Sequence, residues 1–298
     1  ALAETFAGCA SEVFLAPGNH DYYSAGAPYA RLTFPENVHI FRTQRIEAIA
    51  LPELGVRVWG AAFTDSRCPA LLRGFSVPKE PGLLDILCMH AEVGNPASAY
   101  NAVSAADLAH SGLDYAAFGH THRFGGVQRA GGTVYAWPGC MEGRGFDETG
   151  EKGVLLADVA AGDVQAQFLP VPGRRYEILR VDVTDADPVQ AVLAALPEGA
   201  ARNIFRIVLT GETDRAPNPA ALRAALEGQV FAMQLRDETR ACRDLWARAG
   251  EGTLRGQFLA QLKQKYDAAG SDRDRETIVM AARWGLAALD HDEEVVTL

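Results

Sequence analysis

Short apolar runs broken by Gly and Pro dominate the chain from residue 13 to about residue 171. They include VFLAP, VRVWGAAF, LLDILCMHA, YAAFGHTH and TVYAWPG, followed by the pair GVLLADV and VQAQFLPV. Runs of this length with such punctuation predict strands. The segment Ala160-Ala161-Gly162-Asp163 between the last two suits a hairpin turn, and SAADLAHSG at 104–112 reads as a short helix opened by the Ser104 cap. Together these elements predict an α/β sandwich with helices on its flanks.

The period changes near Pro170-Val171-Pro172-Gly173. From there the order is strand YEILRVDV, helix PVQAVLAAL, strand NIFRIVLTG, helix PAALRAALE and strand VFAMQLRD, a small alternating module of about 65 residues. Two helical stripes close the chain. One carries Leu254, Phe258, Leu259, Leu262 and Tyr266, the other Ile278, Ala281, Ala282, Leu286 and Leu289. Packing within their own domain explains such stripes, and so does a partner-binding surface. The expected division is 1–172, 173–240 and 241–298, with no repeats or low-complexity tracts.

Composition narrows this picture. A chain of 298 residues with 48% hydrophobic and 22% charged content can bury a sizeable core. Cys9, Cys68, Cys88, Cys140 and Cys242 are odd in number and contain no Cys-x-x-Cys pair, so neither a disulfide framework nor a cysteine zinc site is expected and a cytoplasmic location fits. No apolar run approaches the roughly 20 residues of a membrane span, and no basic segment precedes a short apolar stretch at the start of the sequence given, so no membrane association is expected. The opening ALAETFAGCASEVFLAP reads as the end of a helix entering a strand introduced upstream, which suggests preceding sequence. The net charge of −10 argues against general electrostatic attraction to nucleic acid while leaving room for a metal-centred site.

The candidate chemistry gathers at predicted strand ends. Gly18-Asn19-His20-Asp21 follows VFLAP, His90 ends LLDILCMHA, and His120 and His122 follow YAAFG at a spacing that puts both on one side of an extended segment. Each feature alone has an ordinary structural explanation: Gly-Asn is turn chemistry, and a single strand-terminal His is commonly a packed residue. Four of seven histidines in equivalent places are harder to attribute to coincidence. Imidazole and amide oxygen suit Mn, Zn or Fe better than Ca, and two such ions about 3.5–4 Å apart are used to hydrolyse phosphate esters. His39, His110 and His291 lack this context and read as surface or packing residues.

GNHD, a strand-terminal His and GHTH, in that order, resemble the last three motifs of the calcineurin-like metallophosphoesterases. The resemblance implies that Asn19, His90 and His120 bind one ion, that His122 binds a second, and that His20 protonates the leaving oxygen while Asp21 holds it. It implies two divalent ions, Mn first with Mg, Zn or Fe as alternatives. The family's upstream Asp-x-His and Gly-Asp-x-x-Asp have no counterpart before Gly18, and neither Asp65 nor Asp85 has the context to replace them. By that analogy roughly 70 residues precede this chain, and the chain alone is expected to be inactive, holding at most one ion.

WPGCMEGRGFDETGEKGVLLADV, after GHTH, is similar to the segment that closes the nuclease domain of bacterial SbcD- and YhaO-like DNA repair exonucleases. Arg144 and Lys152 within it either bring positive charge to a substrate phosphate or are solvated charges on a strand connection. In such proteins a module like that at 173–240 caps the site and guides DNA, and C-terminal helices dock on an SMC-like ATPase of the SbcC type. DNA and that ATPase are therefore the implied partners, with a homodimer also allowed. Leu254, Phe258, Leu262 and Tyr266 are the candidate ATPase contacts, and Arg174, Arg175, Arg236, Arg240 and Arg243 either meet phosphates or are solvated. The implied function is a metal-dependent DNA exonuclease subunit; a phosphatase with the same motifs, or a scaffold without chemistry, are the alternatives.

Overall fold

Alternation within LDILCMH shows how the first part of the chain is layered. In the computed structural model Asp85, Leu87 and Met89 point to one side of this strand and are buried, while Ile86, Cys88 and His90 face the other side and are partly covered. A strand covered on both faces lies at the centre of a sheet. Residues 2–171, 173–184, 186–213, 216–241 and 245–289 are described. Pro172, Cys242, Arg243 and His291, all named above, lie outside them.

The chain opens with helix α1 (Leu2–Ala7), strand β1 (Val13–Leu15), the short helix α2 (Pro28–Arg31) and β2 (Val38–Ile40). Strands β1 and β2 form a parallel pair. Next come β3 (Glu47–Leu51), β4 (Val56–Ala61), β5 (Leu84–His90), β6 (Glu92–Val93), β7 (Ala102–Val103), α3 (Ala105–Ser111), β8 (Tyr115–Gly119), β9 (Val127–Ala130) and β10 (Thr133–Ala136). Six of these build one sheet in the order β3-β4-β5-β8-β10-β9, with β4, β5, β8 and β10 parallel and an antiparallel strand at each edge. Strands β11 (Gly153–Ala160) and β12 (Asp163–Pro170) form the expected hairpin.

Two cores flank the six-stranded sheet. Leu87, Met89, Ala116 and Phe118 pack with Leu72, Leu108 and Leu113 on one side. On the other, Phe41, Val58 and Ala62 are buried with Phe14, Ala16 and Cys88, so the β1–β2 pair stacks over the β4–β5 region. Helix α3 is held by a full capping box: Ser104 accepts from Asp107 N–H while Asp107 accepts from Ser104 N–H. The parallel strands thus deliver their C-terminal ends, at His90 and Gly119, to the same edge, which is where α/β proteins build sites.

The described residues divide into two compact units, the first running to Glu142 and resuming over Glu151–Gly173, the second comprising Gly143–Gly150 and the residues from Arg174. In the second unit, β13 (Tyr176–Asp182), α4 (Pro188–Ala195), β14 (Ile204–Thr210), the two-residue β15 (Glu212–Thr213), α5 (Pro219–Leu226) and β16 (Ala232–Asp237) give a parallel sheet β13-β14-β16. Asp187 and Asn218 cap α4 and α5, each followed by Pro in the first turn, where its missing N–H costs nothing. Phe205, Ile207, Leu209, Leu222 and Val192 form this unit's main core. Phe146 packs at right angles on Tyr176 beneath the Arg206 guanidinium, which attaches Gly143–Gly150 to it.

After β17 (Arg240–Ala241), helices α6 (Leu254–Ala268) and α7 (Asp272–Leu289) close on each other. Phe258, Leu259, Leu262, Ala282 and Leu286 from the two predicted stripes pack together with Leu245 and Trp246, and Tyr266 stacks near Trp246. Leu254 stays exposed, as do Met280 and Trp284, which the stripes did not include. No helix of the described residues is long and apolar enough to cross a membrane.

Candidate metal centre

Backbone bonds bring the loop after β1 to the end of β4: Phe63 N–H donates to Pro17 O at 2.9 Å and Tyr23 N–H to Phe63 O at 2.8 Å. Gly18 is buried there against the His90 ring. A Cβ on Gly18 would lie 2.5 Å from His90 Nδ1 and 2.7 Å from Cε1, so no larger residue fits while the ring keeps its place. Beyond it, Asn19 Oδ1 lies 2.8 Å from His90 Nε2, and His120 Nδ1 lies 3.1 Å from the same nitrogen. Three atoms with lone pairs therefore converge. Donors about 2.1 Å from one ion at angles of about 90–109° stand about 3.0–3.4 Å apart, close to the separations seen.

Burial first, and then the neighbouring His120, push His90 down to about 4, with Asp21 opposing and His20 and His122 adding smaller contributions. His120 is also lowered, chiefly by burial, against the opposing pull of Glu92. Both imidazoles are thus neutral near pH 7 and keep a lone pair to offer. His120 has φ 102°, in the left-handed region, a strain of order 1–3 kcal/mol that is commonly found at functional sites. Its ring lies between His90, with centroids 5.0 Å apart, and Tyr100, at 5.3 Å, and Glu92 Oε2 is 3.8 Å from its outer nitrogen. Phe63 meets the His90 ring edge to face at 5.2 Å.

Two supporting residues, Asn101 and Tyr29, carried no signal in the sequence. Asn101, fully buried, donates to His90 O at 3.0 Å and accepts from Leu71 N–H at 2.9 Å, pinning the last peptide of β5. Asp21 accepts from Gly18 N–H at 2.8 Å and from the Tyr29 hydroxyl, whose pKa is driven up by burial first and then by Asp21. Asp21 therefore fixes the loop, and it makes no hydrogen bond to His20, contrary to what the family resemblance implied. His20 is exposed beside the cluster.

His122 is exposed and does not complete a three-histidine set with His90 and His120; among the described residues no group of three or more His, Cys, Asp or Glu is arranged to hold an ion. Its carbonyl accepts from Cys140 N–H and from Lys152 Nζ, each at 3.2 Å. Lys152 is buried, so its charge serves this carbonyl instead of being solvated or facing a phosphate. Gly139 passes so close, at φ 85°, that a Cβ would lie 2.9 Å from His122 O. Asp85 sits at the opposite end of β5 from His90, bound by Arg57 and Trp59 at 2.8 Å each, and Asp65 is turned to Ser66. Arg144 belongs to the second unit, exposed, with its N–H on Glu148. Arg174 lies 3.4 Å over the Phe231 ring centroid.

Two imidazole nitrogens and an amide oxygen fit one borderline divalent ion, with further positions filled by water or other donors. No family model matches the chain. It is 30% identical over 192 residues to a Bacillus subtilis (strain 168) protein described as the uncharacterized metallophosphoesterase YhaO, an alignment that covers 62% of this chain and 46% of that protein. The chain thus spans about half the length of the curated relative it matches. This likeness supports the metallophosphoesterase superfamily.

Proposed function

We propose that this chain carries the histidine-bearing part of a metallophosphoesterase centre, and that the whole protein is a metal-dependent phosphodiesterase acting on DNA ends. One observation carries the reading: Asn19, His90 and His120, from three separate strand ends, converge at 2.8 and 3.1 Å. The likeness to a protein named as a metallophosphoesterase supports phosphoester hydrolysis with divalent ions in general. The finer choices of Mn, exonuclease action in a repair complex and an SbcC-type ATPase partner rest on the resemblance of residues 137–159 and of the later modules.

In this reading Asn19, His90 and His120 hold one ion and His122 serves a second. A bound divalent ion would supply Lewis-acid stabilisation of charge on a phosphoryl oxygen. His20, exposed beside these groups, hands a proton to the departing sugar oxygen. Tyr29 and Asp21 keep the loop that carries it in place, and Arg144 contacts a phosphate. Exposed Leu254, Met280 and Trp284 are available for the ATPase.

A scaffold role is the second reading, favoured by the lack of any described group of three acidic, Cys or His ligands. Calorimetry with Mn²⁺ on this chain tests the site: one equivalent should bind, and Asn19→Ala, His90→Ala and His120→Ala should each abolish it. No binding would sink the proposal. With the product of the whole gene, Mn-dependent degradation of linear duplex DNA should exceed hydrolysis of a simple phosphomonoester. The reverse preference would favour a phosphatase.

A further inference from the structure

His120 must present a bare Nδ1 if it is to serve as a ligand. A neutral imidazole carries one proton, and if that proton sat on Nδ1 it would face His90 Nε2, 3.1 Å away, leaving no lone pair for an ion. Something must hold the proton on the far nitrogen. The group facing that nitrogen is Glu92, whose Oε2 is 3.8 Å from His120 Nε2. From this geometry we infer that Glu92 is the positioning residue that selects the tautomer of His120, an inference that rests on the metal reading above.

The surroundings of Glu92 fit this role. Its other oxygen, Oε1, accepts from Asn95 Nδ2 at 3.1 Å, and the Ser98 side chain also bonds the carboxylate, so two neighbours hold it in place beside His120. Its backbone N–H is held by the carbonyls of Tyr100 and Asn101, and β6 pairs with β7, so the carboxylate extends from a fixed strand. The His120 ring cannot swing away easily, because its backbone is set at φ 102° and Tyr100 covers one face. A separation of 3.8 Å is long for a direct hydrogen bond and suits a charge–dipole contact or one bridging water. Ligating histidines usually donate their second N–H to a carboxylate or carbonyl, which fixes the tautomer and raises the basicity of the ligating nitrogen. Glu92 also lies two residues beyond His90, so one stretch of chain supplies a ligand and the group that orients another.

A purely structural role, bracing the 92–98 loop through Ser98 and Asn95, is the rival account, and the test separates the two. Chain labelled with ¹⁵N-histidine and free of metal is read by NMR for the tautomer of His120, and Zn²⁺ affinity is measured by calorimetry, in the native chain and in Glu92→Gln, Glu92→Ala and Asn95→Ala. The native His120 should be protonated at Nε2. Glu92→Ala should shift it toward Nδ1–H and weaken Zn²⁺ by about 10–100-fold. Glu92→Gln, which keeps an acceptor oxygen, should recover part of both effects. Asn95→Ala should leave the tautomer unchanged. An unaltered tautomer in Glu92→Ala, or an equal shift in Asn95→Ala, overturns the inference. If the native chain binds no Zn²⁺ or Mn²⁺, the metal reading fails separately, and the tautomer comparison still decides the role of Glu92.

Discussion

Replacing Gly18 with Ala adds one methyl group where the His90 ring already stands. The new carbon would lie 2.5, 2.7 and 3.0 Å from Nδ1, Cε1 and Cγ of that ring, whereas ordinary contact begins at 3.4 Å. The ring must retreat by roughly 1 Å, and its room is limited by Phe63 at its edge, by Gly119 on β8 and by Asn101 holding the β5 terminus. Overpacking of this kind costs about 1–3 kcal/mol, which for a unit of this size lowers Tm by about 2–12 °C. The displaced Nε2 loses its 2.8 and 3.1 Å relation to Asn19 and His120. Metal sites tolerate only about 0.2 Å of such error, so Mn²⁺ affinity should fall by at least the 10–100-fold typical of a misplaced ligand shell. Scanning calorimetry and Mn²⁺ titration of the same samples measure both effects. A Gly18→Ala chain that binds Mn²⁺ as the native chain does would show that His90 Nε2 is not part of the ion's shell.

Four further outcomes follow from the packing. Arg57→Ala strands the fully buried Asp85 without its cation, and should cost about 3–5 kcal/mol in urea unfolding while leaving Mn²⁺ binding intact, because the pair sits at the far end of β5 from His90. Burial holds the Cys68 and Cys88 thiols up, at about 11 each, so at pH 8 both should resist alkylation in the folded chain while exposed Cys9 reacts. Since the folded state binds those protons more tightly, their contribution is complete below about pH 9 and is lost as the pH rises toward 11; the fall in urea midpoint should be smaller in Cys88→Ala, and an equal fall would refute the assignment. Leu286→Ala should cost about 2–5 kcal/mol and Trp284→Ala less than about 1 kcal/mol, because Leu286 is buried between α6 and α7 whereas Trp284 is 45% exposed; equal losses would mean that α7 packs differently.

Much of this protein is legible along the chain. Apolar runs and the turn residues between them located β5, β8, the β11–β12 hairpin and the strand-helix alternation of the second unit, because a face that must leave water dictates local conformation. The caps of α3, α4 and α5 are equally local, each a side chain bonding a peptide two or three residues on. The order GNHD, His90, GHTH likewise marked the residues that converge. The helical stripes were read less completely: the period identified Leu259 and Leu286, but Leu254 and Ala281, placed on the same stripes, are exposed.

The sequence by itself therefore determined the elements and their caps, which depend on neighbours a few residues apart, and offered a set of candidate donors at strand ends. Only the tertiary structure decided which donors meet. His122 has the residue type and spacing of a ligand, yet its side chain is exposed and does not complete a three-histidine set with His90 and His120, while its carbonyl accepts from Lys152 and Cys140. Lys152 has the charge for a phosphate, yet it is buried. Tyr29, Glu92 and Asn101 act on the site from 8, 28 and 11 positions away from the residues they hold, through contacts set by strand register and sheet stacking that no local pattern encodes.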